Sequence, residues 1–229
     1  MRLHWLAALA VALLSVPAYA EEAAVLKTQK DKVSYGIGMN VGQNLKHQSI
    51  DVDVNLLAKG IGDVLSGGKT LMSEEEFRAT MTALQQDLAE KQAETMKNLA
   101  EKNRKEGEAF LAENKKKEGV VTLPSGLQYK VNKEGSGSTP KETDTVETHY
   151  RGTLIDGTEF DSSYKRGQTA TFPVNGVIPG WTEALQKMKV GSKWQLFVPS
   201  ILAYGERGAG RDIGPNSTLI FEVELLGIK

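Results

Sequence analysis

The sequence predicts an α+β protein in which helical N-terminal segments are joined by a long helix to a compact sheet domain. Three observations carry this prediction. Up to about residue 114, apolar residues recur every three or four positions, as they do in amphipathic helices. After Gly119 the composition changes from charged helix to strands and turns. Beyond that point apolar and polar residues alternate, which is typical of half-buried strands.

Residues 1–20 have the pattern of a secretory signal peptide. Arg2 gives a positive start, and the apolar stretch from Leu6 to Val16 is shorter than the roughly 20 residues that a membrane span needs. Ala18-Tyr19-Ala20 is a small-x-small cleavage site. An uncleaved membrane anchor is the alternative interpretation. We therefore expect an exported, periplasmic protein, with association with the outer membrane or cell surface left open.

Residues 21–72 are predicted to form a helical module. A first helix is expected from Lys27 to Gln48, and Asp53 is a candidate N-cap for a second helix that ends at Gly67-Gly68. These helices offer narrow apolar faces and glycine-rich joints, which make a poor core in a single copy. A second subunit would supply the missing surface, so the module is predicted to form a homodimer.

Residues 73–118 are predicted to form a connecting helix. Ser73 and Glu76 have the spacing of a capping box, and the pattern continues to about Asn114, which gives a helix of roughly 60 Å. Phe77 and Met81 begin an apolar seam that thins out along the helix. Because the second half is polar nearly all round, it is predicted to be a solvated bridge.

Residues 119–229 are predicted to form the sheet domain, with about five strands and one short helix. Asp156-Gly157 is a strong hairpin signal. The short helix follows a Pro179-Gly180 break, with Thr182 as its expected cap, Trp181 at its buried start and Gly191 at its end. The break leaves the backbone amide before Pro179 outside both helix and sheet, beside the indole. A free donor beside an aromatic surface is suited to holding a peptide carbonyl.

The composition excludes several classes of chemistry. The chain has no cysteine, which rules out thiol catalysis and disulfides, and three histidines, which makes a multi-histidine metal site implausible. A net charge of −1 gives no argument for binding nucleic acid. The glycine-rich loop from Gly205 to Gly214 lacks a phosphate-binding motif, and no serine stands in a nucleophile-elbow pattern. No cofactor and no metal are expected.

What remains in the sheet domain is a set of aromatic residues with a few polar groups. A plain hydrophobic core is one interpretation of them. However, buried tyrosine hydroxyls and a neighbouring carboxylate need partners, and aromatic walls with a few orienting groups suit an apolar binding pocket. The set comprises Tyr150, Phe160, Asp161, Phe172, Trp181, Tyr204 and Phe221.

These residues stand in motifs that resemble the FK506-binding-protein (FKBP) family of peptidyl-prolyl cis–trans isomerases. The motifs occur in order from about Val120 to Lys229. The N-terminal half is similar to the dimerisation module of the secreted, dimeric Mip and FkpA type, so the resemblance covers nearly the whole mature chain. The matching stretches are His149-Tyr150-Arg151-Gly152, Asp156 to Ser163, Val177-Ile178-Pro179-Gly180-Trp181, Ala203-Tyr204-Gly205 and Ile213-Gly214-Pro215-Asn216.

The resemblance implies a twisted antiparallel sheet wrapped on the short helix, with a substrate pocket whose floor is Trp181. It implies that Ile178 N–H and the Tyr204 hydroxyl bond substrate carbonyls, and that Asp161 accepts from Tyr150 or pairs with Arg166. The implied catalytic residues are Asp161, Tyr204, Ile178, Tyr150 and Phe221, and the implied substrate-binding residues are Phe160, Phe172, Val177, Trp181 and Ile213.

The resemblance also implies what the protein acts on and where it departs from its relatives. Its partners would be proline-containing unfolded or partly folded polypeptides, a second copy of the chain, and inhibitory macrolides of the FK506 and rapamycin type. Ala209 stands where many relatives have histidine, and the Phe172–Val177 segment is shorter than in the small eukaryotic members; both departures bear on substrate preference more than on activity. The alternatives to a folding isomerase are a holding chaperone and a surface interaction factor, for both of which isomerisation would be secondary.

Overall fold

The computed structural model describes residues 26–229, which form two compact units that meet in sequence at Glu74 and Glu75. The predicted signal peptide, residues 1–20, lies outside the described residues. Among the described residues, no helix has both the length and the apolarity that crossing a membrane requires. The domain boundaries proposed above, after residues 20, 72 and 118, stay predictions.

The first unit contains two helices, α1 (Gln29–His47) and α2 (Val54–Leu65). Thr28 and Asp31 form a capping box at the start of α1. Asp53 caps α2 as predicted, because its carboxylate accepts from the amides of the second and third helical residues. Neither helix contains a buried residue, so their apolar side chains have no core within this unit.

Helix α3 (Glu74–Asn114) has 41 residues, and the prediction that its second half is a solvated bridge is wrong for one face of the helix. Gly107 and Asn114 are buried against the sheet domain. The Asn114 amide donates to Gln128 Oε1 at 3.0 Å, and a Cβ on Gly107 would lie 2.3 Å from Thr218 Oγ1. The contacting residues recur along one helix face at steps of four, four, three and four: Leu99, Asn103, Gly107, Phe110 and Asn114.

The sheet is antiparallel throughout and has seven strands, which confirms the α+β class. The order is β1-β2-β6-β7-β3-β4, and β5 pairs with β3 beside β4. Strands β3 and β7, ten residues each, form the centre. The strands are β1 (Val120–Thr122), β2 (Gln128–Lys133), β3 (Thr145–Leu154), β4 (Glu159–Ser162), β5 (Ala170–Pro173), β6 (Lys193–Val198) and β7 (Leu219–Ile228).

Two short α-helices, α4 (Ser163–Arg166) and α5 (Pro179–Leu185), and three 3₁₀ turns complete the domain. Helix α5 packs into the core of the sheet domain with Ala184 and Leu185 fully buried. Its predicted bounds are wrong at both ends. Proline already occupies the first helical position, so Ile178 is the N-cap. Thr182 lies inside the helix, and its hydroxyl donates to the carbonyl of Val174 at 2.7 Å.

The predicted end at Gly191 lies beyond the last residue of α5. The helix ends at Leu185, and Gly191, with φ +91°, turns the chain into β6. The segment between them still contributes Met188 to the core, where this side chain is fully buried. The apolar spacing therefore identified the buried residues correctly but overestimated the length of the helix.

Candidate active site

A cavity of about 590 Å³ opens between α5, the central strands and the loop that precedes β7. All ten residues that the sequence singled out line this cavity. They are Tyr150, Phe160, Asp161, Phe172, Val177, Ile178, Trp181, Tyr204, Ile213 and Phe221. The structure thus brings together residues that are up to 71 positions apart, from Tyr150 to Phe221.

The floor of the cavity is the indole of Trp181, which is 4% exposed. Three aromatic rings meet it edge to face, with centroids 5.3 Å away for Tyr150, 5.4 Å for Phe221 and 5.9 Å for Phe172. Such near-perpendicular contacts add to the stabilisation that burial alone gives. The result is a rigid apolar floor, because each ring is fixed by its neighbours.

Gly152 makes room for this packing, and sequence reasoning did not identify it. In the register of the sheet it pairs with Asp161 on one side and Phe221 on the other. A Cβ at this position would lie 2.6 Å from the Phe160 ring and 2.8 Å from the Phe221 ring. Any side chain here would displace one wall of the cavity. Its only signal in the sequence is a glycine in the middle of a strand.

A polar cluster of three side chains stands at one edge of the cavity. The Tyr150 hydroxyl donates to Asp161 Oδ2, and Arg166 Nη1 donates to Asp161 Oδ1. Arg166 Nη2 also donates to the Tyr150 hydroxyl at 2.9 Å. The two interactions that were expected as alternatives for Asp161 are therefore both made. Together with the bond between Arg166 and Tyr150, they form a closed network of three charge-assisted hydrogen bonds.

The electrostatics of this cluster keep the carboxylate charged and the phenol neutral. Desolvation opposes ionisation of Asp161, but hydrogen bonds from Tyr150 and Arg166 and the guanidinium charge outweigh it, so its pKa is lowered. Desolvation, together with the hydrogen bond to Asp161, raises the pKa of Tyr150. At neutral pH Tyr150 therefore remains a donor and Asp161 an acceptor.

Two further donors face the cavity. The Ile178 amide precedes the first turn of α5 and has no acceptor among the described residues. Tyr204, which also lines the cavity, is 41% exposed. The rim also contains residues that the sequence did not single out as site residues, namely Gly176, Ala209, Gly210 and Asp212.

Within the described part of the chain, no group of three or more potential ligand side chains is placed to hold a metal ion.

Comparisons with known proteins agree with this geometry. Residues 136–226 match the family model of the FKBP-type peptidyl-prolyl cis-trans isomerase, and residues 30–131 match the domain amino-terminal to it. The chain is 50% identical to the outer membrane protein MIP of Legionella longbeachae, over 94% of this chain and 93% of that protein. It is 47% identical to the FKBP-type 22 kDa peptidyl-prolyl cis-trans isomerase of Escherichia coli, over 88% and 96% respectively.

The crystal structure of FkpA from Escherichia coli superposes with a TM-score of 0.73 at 39% identity, covering 90% of this chain and 99% of that one. The fold and the family match define the chain as a peptidyl-prolyl cis–trans isomerase. More closely, the chain belongs to the FKBP-type isomerase family and has the two-part organisation of its Mip and FkpA members. This confirms the resemblance stated from the sequence.

The lowered pKa of Asp161 leads to a prediction for the pH dependence of catalysis. A carboxylate stabilised in the folded protein keeps its charge as the pH falls through the usual aspartate range and loses it only below that range. We therefore expect kcat/KM for a proline peptide to stay level from pH 7 to pH 4, and the acid limb to lie below the ordinary value of 3.8. Activity would be measured alongside circular dichroism, so that acid unfolding is scored separately. A loss of activity that sets in above pH 4 in fully folded protein would contradict the expectation that activity depends on the charged form of Asp161.

Proposed function

We propose that this isomerase works as an exported homodimer that rotates X–Pro bonds of unfolded polypeptides in the pocket above Trp181. The observation that carries the proposal is the combination of a buried aromatic floor with an amide, that of Ile178, which has no acceptor in the described chain. We further propose that macrolides of the FK506 and rapamycin type inhibit the enzyme by filling the same pocket.

The mechanism that we propose breaks no covalent bond. Rotation about an amide is opposed by resonance, with a barrier of about 18–20 kcal/mol. The twisted amide is less polar than the planar one, so an apolar floor favours the transition state over the ground state. Ile178 N–H and the Tyr204 hydroxyl would hold the flanking carbonyls, and the cluster of Tyr150, Asp161 and Arg166 would fix one wall. A typical 10⁶-fold acceleration requires about 8 kcal/mol from these contributions together.

Dimerisation is supported by the first unit, whose helices expose large apolar side chains. Leu65 is 83% exposed, Val54 71% and Ile37 61%. A soluble monomer rarely presents so much apolar surface, and a second copy offers an identical face in a two-fold arrangement. Two pockets on one dimer would bind an unfolded chain with increased avidity, which supports an added chaperone activity.

Export is supported by the signal-like pattern of residues 1–20 and by the printed name of one relative, an outer membrane protein. In an exported setting the natural substrates would be newly secreted polypeptides. Uncatalysed isomerisation takes tens to hundreds of seconds and can limit their folding. A surface interaction factor that uses the pocket only secondarily is the remaining alternative.

The test compares the chain from residue 21 with a fragment of residues 90–229. The fragment keeps the part of α3 that packs on the sheet, since these contacts begin at Leu99. A fragment starting at Val120 would expose Phe197 and leave Gln128 without Asn114. We expect the longer chain to sediment as a dimer and suppress aggregation of an unfolded protein. The fragment should be monomeric, keep full activity on a short proline peptide and lose the suppression.

Each outcome separates one part of the proposal from the others. Suppression of aggregation by the monomeric fragment would contradict the dimer-based chaperone activity and leave the isomerase assignment untouched. Peptide activity that a macrolide of the FK506 type does not inhibit would contradict the proposed inhibitor site. A well-folded protein without peptide activity would contradict the roles that we give to the pocket residues and favour the interaction-factor alternative.

A further inference from the structure

A buried serine outside the cavity is hydrogen-bonded to the strand that carries Tyr150, at the polar edge of the cavity. Ser163, the first residue of α4, is fully buried. Its Oγ accepts from the backbone amide of Tyr150 at 2.8 Å and donates to the carbonyl of the same residue at 3.1 Å. It also lies 2.9 Å from His149 Nδ1. One hydroxyl therefore has three hydrogen-bond partners on β3.

The position of Ser163 follows from a gap in the sheet. One edge of β3 pairs with β5 up to Thr148 and with β4 from Arg151 onwards. Between them, at His149 and Tyr150, no strand covers this edge. The Ser163 hydroxyl occupies the gap and satisfies both backbone groups of Tyr150, as a neighbouring strand would. Without it, a buried amide and a buried carbonyl would lack partners.

The same serine connects all three elements of the polar cluster. Asp161 lies two residues before it on β4, and Arg166 lies three residues after it at the end of α4. Tyr150, on β3, carries the hydroxyl that bonds both of them. The bonds of Ser163 to the backbone of Tyr150 thus help to fix the distance between β3, which carries the phenol, and the β4–α4 segment, which carries the carboxylate and the guanidinium.

The single hydrogen on the Ser163 hydroxyl indicates which nitrogen of the neighbouring His149 ring carries a hydrogen. A serine hydroxyl has one hydrogen and can accept two hydrogen bonds. If His149 Nδ1 carries a hydrogen, it donates to Ser163 Oγ, and the serine hydrogen is directed to the Tyr150 carbonyl. If Nδ1 is bare, it competes with that carbonyl for the single hydrogen. The ring is held in place by stacking on Tyr164, with centroids 4.7 Å apart.

We propose that Ser163 is a positioning residue of the isomerase, which aligns Tyr150 with Asp161 and Arg166, and that an Nδ1-protonated His149 directs its hydroxyl. The inference rests on the proposed role of the Tyr150, Asp161 and Arg166 cluster. It goes beyond the pocket itself, since Ser163 and His149 do not line the cavity.

The test pairs Ser163→Ala with Ser162→Ala. Ser162 is also buried, adjacent in sequence, and caps α4 through the amide of Lys165, but its hydroxyl makes no hydrogen bond to Tyr150. We expect Ser163→Ala to lower kcat about tenfold, because a displaced Tyr150 misaligns the pocket wall, while KM changes little. Ser162→Ala should keep the kcat of the unsubstituted protein. Circular dichroism at the assay temperature would establish that each variant is folded.

Two further measurements keep the proposal testable if Ser163→Ala is unstable. Ser163→Thr retains the hydroxyl and should restore kcat. In ¹⁵N-labelled protein the ring nitrogens of His149 should show the hydrogen on Nδ1. Equal kcat values for Ser163→Ala and Ser162→Ala, or a hydrogen on Nε2 alone, would overturn the inference. Such a result would leave the isomerase assignment intact, because that assignment depends on activity of the unsubstituted protein.

Discussion

Replacing Asp161 by leucine is expected to lower kcat/KM for a proline peptide by roughly 10- to 100-fold, which corresponds to about 1.5–3 kcal/mol for hydrogen bonds to a charged group. The carboxylate is the shared acceptor of Tyr150 and Arg166. Without it, the phenol loses its acceptor and the guanidinium loses its ion pair, so both can move away from the cavity edge. A standard peptide assay with the variant and the unsubstituted protein measures this effect.

The fold should survive this substitution, since the ion pair is partly solvated. The side chains of Asp161 and Arg166 are 39% and 41% exposed, and exposed pairs contribute about 0–1 kcal/mol to stability. Glu159→Gln is the matched control. Glu159 lies on the same strand and pairs with Arg151 and Lys165, but it does not line the cavity. Equal activity losses in both variants, or unchanged activity in a folded Asp161→Leu protein, would refute the role of this carboxylate.

The ten residues named from the sequence and from the family resemblance line one cavity, and most of them occur in short motifs with strong local chemistry. The hairpin signal at Asp156-Gly157 sets where β4 begins and so places Phe160 and Asp161 on that strand, and Leu154 N donates to Thr158 O across the turn. Pro179 fixes where α5 starts, because proline is favoured at the first helical position, and this start places Trp181 on the buried side of the helix. Each of these signals acts over a few residues, so the chain order alone was sufficient to place them on the correct elements.

The docking of α3 could not be predicted in the same way. Its second half has few apolar residues, so an argument from hydrophobicity alone favoured solvent exposure. The contacts depend instead on Gly107, which lets Thr218 approach, and on the side-chain amides of Asn103 and Asn114. Each amide donates a hydrogen bond to a residue outside the helix. Asparagine on a helix normally indicates a solvated face, and only the tertiary partner makes it a docking residue. Gly152 was missed for the same reason, because its neighbours come from two other strands.

Replacing Gly208 by alanine is expected to lower activity about tenfold or more by opening the loop that carries Ile213, since a residue other than glycine costs roughly 1–3 kcal/mol in such a backbone conformation. Gly208 has φ +63° and ψ −165°, a region that is essentially restricted to glycine. A Cβ there would lie 2.2 Å from the carbonyl oxygen of Ile213. That carbonyl accepts from the Ala209 amide at 2.8 Å, and this bond closes the loop beside the cavity.

The clash and the backbone strain can be separated by a matched variant. Gly205 also has a positive φ, +57°, but a Cβ there would meet nothing within 4 Å, and the residue does not line the cavity. Gly205→Ala should therefore have only the modest cost of a left-handed alanine, about 1–2 kcal/mol, and keep most of the activity. Hydrogen exchange should show faster exchange at Ala209 and Ile213 in Gly208→Ala alone. If both variants lose activity and protection from hydrogen exchange equally, the loss comes from backbone strain and not from the contact with Ile213. The close packing of Gly208 on Ile213 would then not be a separate requirement for catalysis.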